Sequence, residues 1–185
     1  MASAFTHAFS AIALGSLFKT TYSRGYYWMW GMICAVLPDA DVIAFRFGIP
    51  YSHLFGHRGI THSILFAVFF AAFIALLFFR KTPFFSTNWW RTWFYLFLCT
   101  VSHGILDALT TGGLGVAFFA PFDNSRYFFP DEYRRLLVSP IGAKYFFGER
   151  GIRVLKSEFV WVWIPCMVVM LVGFIKNRLS SSFKP

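Results

Sequence analysis

Apolar residues fall into five runs along the chain, and each run meets polar residues at only a few places. Ala2 to Phe18 is apolar with small residues interspersed; His7 lies in its first half. Lys19 and Arg24 follow this run rather than precede it, the order of an uncleaved segment whose start lies outside the cytoplasm, not of a signal peptide. Tyr26 to Phe47 is the second run, broken by Leu37-Pro38-Asp39-Ala40-Asp41. Pro38 disfavours regular helix just before it and leaves one backbone carbonyl without its usual donor. Gly48 to Gly59, with Pro50 and Gly56, reads as a loop. Ile60 to Phe79 carries no charge after His62, approaches the ~20 residues that a bilayer core requires, and is closed by Arg80-Lys81. Thr82 to Trp90 is a short connection. Thr92 to Thr111 is the fourth run, opened by Trp and Tyr as at a membrane interface.

Gly112 to Glu158 breaks this rhythm. Gly112-Gly113, Pro121, Pro130 and Pro140 punctuate it, and Arg alternates with aromatics in Arg126-Tyr127-Phe128-Phe129. The pattern predicts a headgroup-level cap with an interfacial helix around Asp131 to Val138. The arginines from Arg126 to Arg153 are expected to snorkel along lipid. Phe159 to Ile175 is the last run, with a kink at Pro165 that lipid tolerates, followed by Lys176, Arg178 and Lys184. The expected fold class is all-α: a multi-pass membrane helix bundle of four to five apolar helices, one domain over residues 1–185, with residues 112–158 as a non-spanning cap.

Composition agrees with a membrane solvent. The 185 residues are 57% hydrophobic and 14% charged, with 26 Phe; soluble domains carry about 25% charged residues. The formal charge of +9 would suggest nucleic acid in a soluble protein, but these cations flank apolar runs, so the expected partner is anionic lipid and no nucleic acid. Cys34, Cys99 and Cys166 stand singly in apolar runs, without metal-ligand or redox spacing.

Against that background the titratable residues stand out, because imidazole and carboxylate are costly in lipid. If all five runs cross, His7 near the start of the first, Asp39 and Asp41 late in the second, His57 and His62 at the start of the third, and His103 and Asp107 late in the fourth all fall at one membrane face. His103 and Asp107 are four apart and share a helix face. Asp39 and Asp41 are two apart and cannot share a face of regular helix, so either the helix is irregular or the two have different roles. His57 and His62 straddle a loop-to-helix junction, with Thr61 or Ser63 near the cap. His53, in the loop, is read as lying outside the cluster. Imidazole with carboxylate suits a divalent ion such as zinc, or manganese or iron, rather than calcium. The number of candidate ligands exceeds one tetrahedral site, which favours one or two ions with supporting partners.

The order His7, then Leu37-Pro38-Asp39-Ala40-Asp41, then His57-Arg58-Gly59-Ile60-Thr61-His62-Ser63, then Ser102-His103-Gly104-Ile105-Leu106-Asp107 resembles the inner-membrane metal-dependent hydrolase family of the YdjM/YbcI type. Leu109 to Gly113, Pro121, Arg126 and Pro130 also resemble its pattern, so the likeness runs from His7 to about Pro140. More distantly, the order of ligands is similar to the zinc-dependent phospholipase C and single-strand nuclease fold. The chain departs from that fold because no histidine follows His103, which leaves a mono- or dinuclear site. The resemblance implies a hydrolase without implying its substrate.

The expected function is metal-assisted hydrolysis of a phosphate ester on a lipid or lipid-linked substrate. The metal ligands are expected among His7, Asp39, Asp41, His57, His62, His103 and Asp107. Asp41 doubles as a candidate general base, His57 as a ligand or its partner, and Arg58 as the holder of a substrate anion. A serine hydrolase built on Ser63 or Ser102 is the rival enzyme. It lacks a nucleophile elbow, and adjacent helical residues point about 100° apart. The non-enzymatic rival is a metal- or proton-sensing or transport module using the same cluster. Basic short connections place the active face outside the cytoplasm.

Overall fold

The computed structural model describes residues 1–140 and 146–182, with side chains through residue 178. Lys184 and residues 141–145 of the expected cap lie outside the described residues. Among the described residues the protein is all-helical; its only β-type pairings are two isolated bridges, Thr110 with Leu136 and Val116 with Tyr127.

α1 spans Ala4–Ser16, α2 Arg24–Val36, α3 Ile64–Phe78 and α4 Thr87–Ala108. Four helix starts are capped by serine: Ser3, Ser23, Ser63 and Ser86 each accept an N–H from three residues on. α1 and α2 form one antiparallel hairpin, α3 and α4 a second, and their connecting turns meet at one end. There Thr82 donates to the Tyr22 hydroxyl at 3.2 Å, and Tyr26 donates to the Phe78 carbonyl at 2.8 Å. Tyr27, Tyr95, Phe79, Trp89, Leu96, Cys34 and Cys99 fill the core between the hairpins. Gly31 makes the approach possible: a Cβ there would overlap the Tyr95 ring and hydroxyl.

α5, Glu149–Glu158, runs through a widened turn at Phe159–Trp163 into α6, Ile164–Ser182. The widened turn, in which Ile164 donates to Phe159 five residues back, absorbs the missing N–H and ring of Pro165. This long helix runs parallel to α1. Glu158 binds Ser3 at one end, and Asn177 donates to the Ser16 carbonyl at 3.2 Å at the other.

Two helical stretches are long and apolar enough to cross a membrane, Arg24–Phe47 and Glu149–Arg178. Ile64–Phe78 is apolar but shorter, and α1 has 13 residues. α4 has 22 residues, but Arg91, His103 and Asp107 dilute its hydropathy. α3 turns Ala67, Ala71 and Ala75 inward and Phe69, Phe73 and Leu76 outward. That arrangement suits lipid, where small residues let helices approach and large ones face acyl chains.

The cap differs from expectation. Of the helix expected around Asp131 to Val138, only Asp131–Tyr133 forms, as a short 3-10 turn, while residues 149–158 of the expected cap are α5, continuous with the last apolar helix. The Leu136 N–H instead donates to Leu109 and its carbonyl accepts from Thr111, which holds the chain extended against the end of α4. Arg126 and Arg134 do not snorkel. Arg126 donates to the carbonyls of His57, Tyr51 and His53, and Arg134 to that of Thr110 while lying 4.0 Å over the Phe128 ring. The orphaned carbonyls of an irregular loop demand donors, and these two guanidiniums supply them.

Candidate metal centre

Each element ends or bends at the same place. The start of α1 brings His7, the end of α4 brings His103 and Asp107, and the short turn Ile60–His62 before α3 brings His62. After α2 the helix tightens into a 3-10 stretch, Leu37–Phe47. With about three residues per turn there, Asp39 and Asp41 leave on different sides. Asp39 faces His7, His62 and His103; Asp41 faces His57 and His62. All of these side chains are buried.

The donor atoms are close together. His103 Nε2 lies 2.9 Å from His62 Nε2 and 3.3 Å from Asp39 Oδ1. His62 Nε2 lies 3.8 Å from both Asp39 Oδ1 and Asp107 Oδ2. Donors about 2.05 Å from a tetrahedral ion stand about 3.3 Å from one another, so these separations bracket that value. On the other side of the two carboxylates, His7 Nε2 is 3.6 Å from Asp107 Oδ1 and 4.0 Å from Asp39 Oδ2.

Two observations test whether these residues fit a cation. Both ring nitrogens of His7 and both carboxylate oxygens of Asp39 are buried without a hydrogen-bond partner, a state that costs several kcal/mol per charged group unless something binds there. The charges also leave room for one: three buried carboxylates, Asp39, Asp41 and Asp107, face one guanidinium, Arg58. With neutral imidazoles that leaves an excess of negative charge, which a divalent ion would offset. The Met1 amine, 4.0 Å from Asp107, is pushed toward its neutral form by burial. The residues therefore fit a divalent metal ion.

The imidazoles are held by their other nitrogens. His103 Nδ1 donates to the Ala35 carbonyl at 2.7 Å. His62 Nδ1 lies 3.2 Å from Asp41 Oδ2, and His57 Nδ1 lies 2.6 Å from Asp41 Oδ1. Both His62 and His103 thus point Nε2 into the cluster. Asp41 Oδ2 also accepts from the Thr61 hydroxyl at 2.7 Å and the Arg58 N–H at 3.1 Å. Its oxygens are spent on orienting neighbours.

Arg58 is fully buried. Nε lies 2.8 Å from Asp107 Oδ2, Nη1 donates to the Gly112 carbonyl and Nη2 to the Thr110 hydroxyl. Its φ of 60° is in the left-handed region, rare for a residue with a side chain, and the contacts on all sides hold it there. The guanidinium is committed to Asp107 and the loop after α4, so the anion-holding role expected of Arg58 does not match its contacts. Tyr51 packs edge-on to His57; burial raises its phenol above the ordinary range, opposed by the nearby Arg58 charge. His53 stays exposed and outside the cluster, accepting the Phe55 N–H at 3.2 Å.

Glu158 escaped the sequence reading. It is fully buried and accepts from Ser3 N–H, the Ser3 hydroxyl at 2.6 Å and the Thr6 hydroxyl at 2.8 Å, tying α5 to the start of α1 and so to His7. A lone carboxylate at the threshold of an apolar run was the available signal. Ser102 and Ser63 are spent on the Cys99 carbonyl and the α3 cap.

A family model described as YdjM inner membrane protein matches residues 1–179. The inner membrane protein YbcI of Escherichia coli (strain K12) is 39% identical over 140 residues, covering 76% of this chain and 78% of that protein. No solved structure matches the chain.

Proposed function

The chain belongs to the YdjM inner membrane protein family, and on that premise we propose that it is a membrane-embedded, metal-dependent hydrolase of a phosphate ester on a lipid or lipid-linked substrate. One observation carries the reading. His7, Asp39, His62, His103 and Asp107, drawn from four elements, converge with donor atoms buried and in part unpartnered. Such an arrangement is unfavourable in an apolar bundle without a cation.

Asp39, His62, His103 and Asp107 would hold one ion. His7 meets the remaining oxygens of the same two aspartates, so it either completes that shell or begins a second. Imidazole and carboxylate favour zinc, with manganese or iron as alternatives. The ion supplies, when bound, Lewis acidity toward a phosphoryl group and acidifies water near neutral pH. Asp41 sets the orientation of His57 and His62, and Arg58 fixes Asp107 while balancing part of its charge.

In this reading the chain crosses the membrane five times, through α1, residues 24–47, α3, α4 and residues 149–178. The parallel and antiparallel pairings support that count, and bilayer thinning accommodates the short α1 and α3. The centre then lies near one headgroup layer. Basic connections at Lys19/Arg24 and Arg80/Lys81/Arg91 favour the opposite face as cytoplasmic. A conducting path needs charged groups at several depths, whereas among the described residues the buried His and Asp side chains gather at one end and the core between the hairpins carries hydroxyls such as Tyr27, Tyr95, Thr92 and Thr100.

The experiment is metal analysis of the purified protein combined with turnover of short-chain lipid phosphates in detergent. Bound divalent metal, chelator-sensitive phosphate release, and loss of both in His103→Ala and Asp107→Ala are expected. Stoichiometric metal without turnover on any phosphate ester would favour sensing. Parent-level metal in both variants would overturn the ligand set.

A further inference from the structure

The committed contacts of Arg58 leave the capture of substrate phosphate to other residues, and the molecule offers two. Arg150 and Arg153 are three apart on α5, on one face, and line a cavity of about 590 Å³ with Thr111, Gly112, Gly113 and Val154. The buried side of α5, Gly151, Val154 and Glu158, anchors the helix to the bundle, so the two guanidiniums are presented from a fixed support. Among the described residues neither makes an ion pair or hydrogen bond to the protein.

The cavity is one residue away from the metal centre. Its wall is the loop Gly112-Gly113; the Gly112 carbonyl accepts a hydrogen bond from Arg58 Nη1, and the same guanidinium rests on Asp107. Gly113 has φ 93°, and a Cβ there would come within 2.8 Å of Arg58 Nη1 and 2.9 Å of the Tyr51 hydroxyl. Only glycine lets the loop lie flat between the guanidinium and the cavity. Asp131 is engaged by Arg134, and among the described residues no carboxylate lines the cavity to compete for the pair.

We infer that Arg150 and Arg153, with the Gly112-Gly113 loop, form a binding subsite for a phosphate-monoester dianion, across that loop and Arg58 from the donor cluster. Two guanidiniums matched to one dianion give forked, charge-assisted hydrogen bonds, which a single lysine cannot. The inference deepens the hydrolase reading and rests on it for the substrate class. Binding itself can be measured without turnover.

The test measures affinity of the full chain in detergent for inorganic phosphate and for dihexanoylphosphatidic acid, with dihexanoylphosphatidylglycerol, a phosphodiester, as the comparison. R150Q/R153Q is expected to weaken phosphatidic acid at least tenfold and phosphatidylglycerol much less. R150K/R153K should recover part of the loss. K156Q, on the same helix but outside the cavity, should bind as the parent does. Loss for phosphatidic acid alone assigns the subsite to a lipid headgroup; loss for both phosphates assigns it to phosphate from any source. Unchanged affinity in R150Q/R153Q, or an equal loss in K156Q, overturns the inference. An inactive protein with intact, arginine-dependent binding would count against the hydrolase reading and leave the subsite standing.

Discussion

His103 Nδ1 donates to the carbonyl of Ala35, 2.7 Å away and 68 residues earlier in the chain. In 3-10 geometry the backbone donor to that carbonyl would come from Pro38, three residues on, which has no N–H to give. A carbonyl can only accept, so the Nδ1 proton is fixed and Nε2 keeps its lone pair toward Asp39 and His62. One proline thus sets the tautomer of a histidine on another helix.

Pro38→Ala restores the competing N–H. Metal affinity should fall ~10-fold, read by competition against a coloured chelator, with helix content unchanged. Parent affinity would mean that Ala35 does not orient His103.

Asp41→Asn keeps the shape but removes the charge that draws His57, Thr61 and the Arg58 N–H together. Metal affinity should drop about 10–100-fold, with full stoichiometry regained at high metal. Asp39→Asn should instead lose stoichiometry outright. If the two variants behave alike, the division of labour between these aspartates is wrong.

Added metal should raise the unfolding temperature in detergent. At 100 times the dissociation constant the stabilisation is about 2.7 kcal/mol. His103→Ala should show no such rise under zinc, and a rise equal to the parent's would place the ion elsewhere.

Glu158→Ala removes the acceptor for Ser3 and Thr6 and should destabilise by ~2–3 kcal/mol, with Glu158→Gln in between. The metal-to-protein ratio of the folded fraction should stay at the parent value, because Glu158 reaches the start of α1 and not the donor cluster. Loss of metal in folded Glu158→Gln would show that it helps to place His7.

Gly31→Ala puts a methyl into the Tyr95 ring. Overpacking of this kind costs ~1–3 kcal/mol, measurable as a lower unfolding temperature. Gly25→Ala, at the same helix's exposed start with open space around it, should be neutral or slightly stabilising.

The donor residues were readable in the sequence because lipid makes each of them anomalous. His7, Asp39, Asp41, His62, His103 and Asp107 lie in apolar runs that carry few other charges, His57 lies in the loop just before one, and runs that cross in alternation would bring all of them to one end. Glu158 is not legible in the same way, because it sits at the edge of a run where a carboxylate looks solvated. Nor are the roles of Arg126 and Arg134, since a basic residue among aromatics has the same sequence signature whether it faces lipid or fills a loop's carbonyls.

The pattern of apolar runs determined that this chain is helical, that it suits a bilayer, and which side chains gather at one end, because those outcomes follow from periodicity and from the cost of charge in lipid. Tertiary structure alone decided which of the gathered groups face one another. Asp39 looks into the cluster while Asp41 orients two imidazoles, and Arg58 closes on Asp107 while Arg150 and Arg153 face a cavity. Those choices depend on a 3-10 stretch, a left-handed residue and a carbonyl 68 residues away, contacts whose geometry no local stretch of sequence contains.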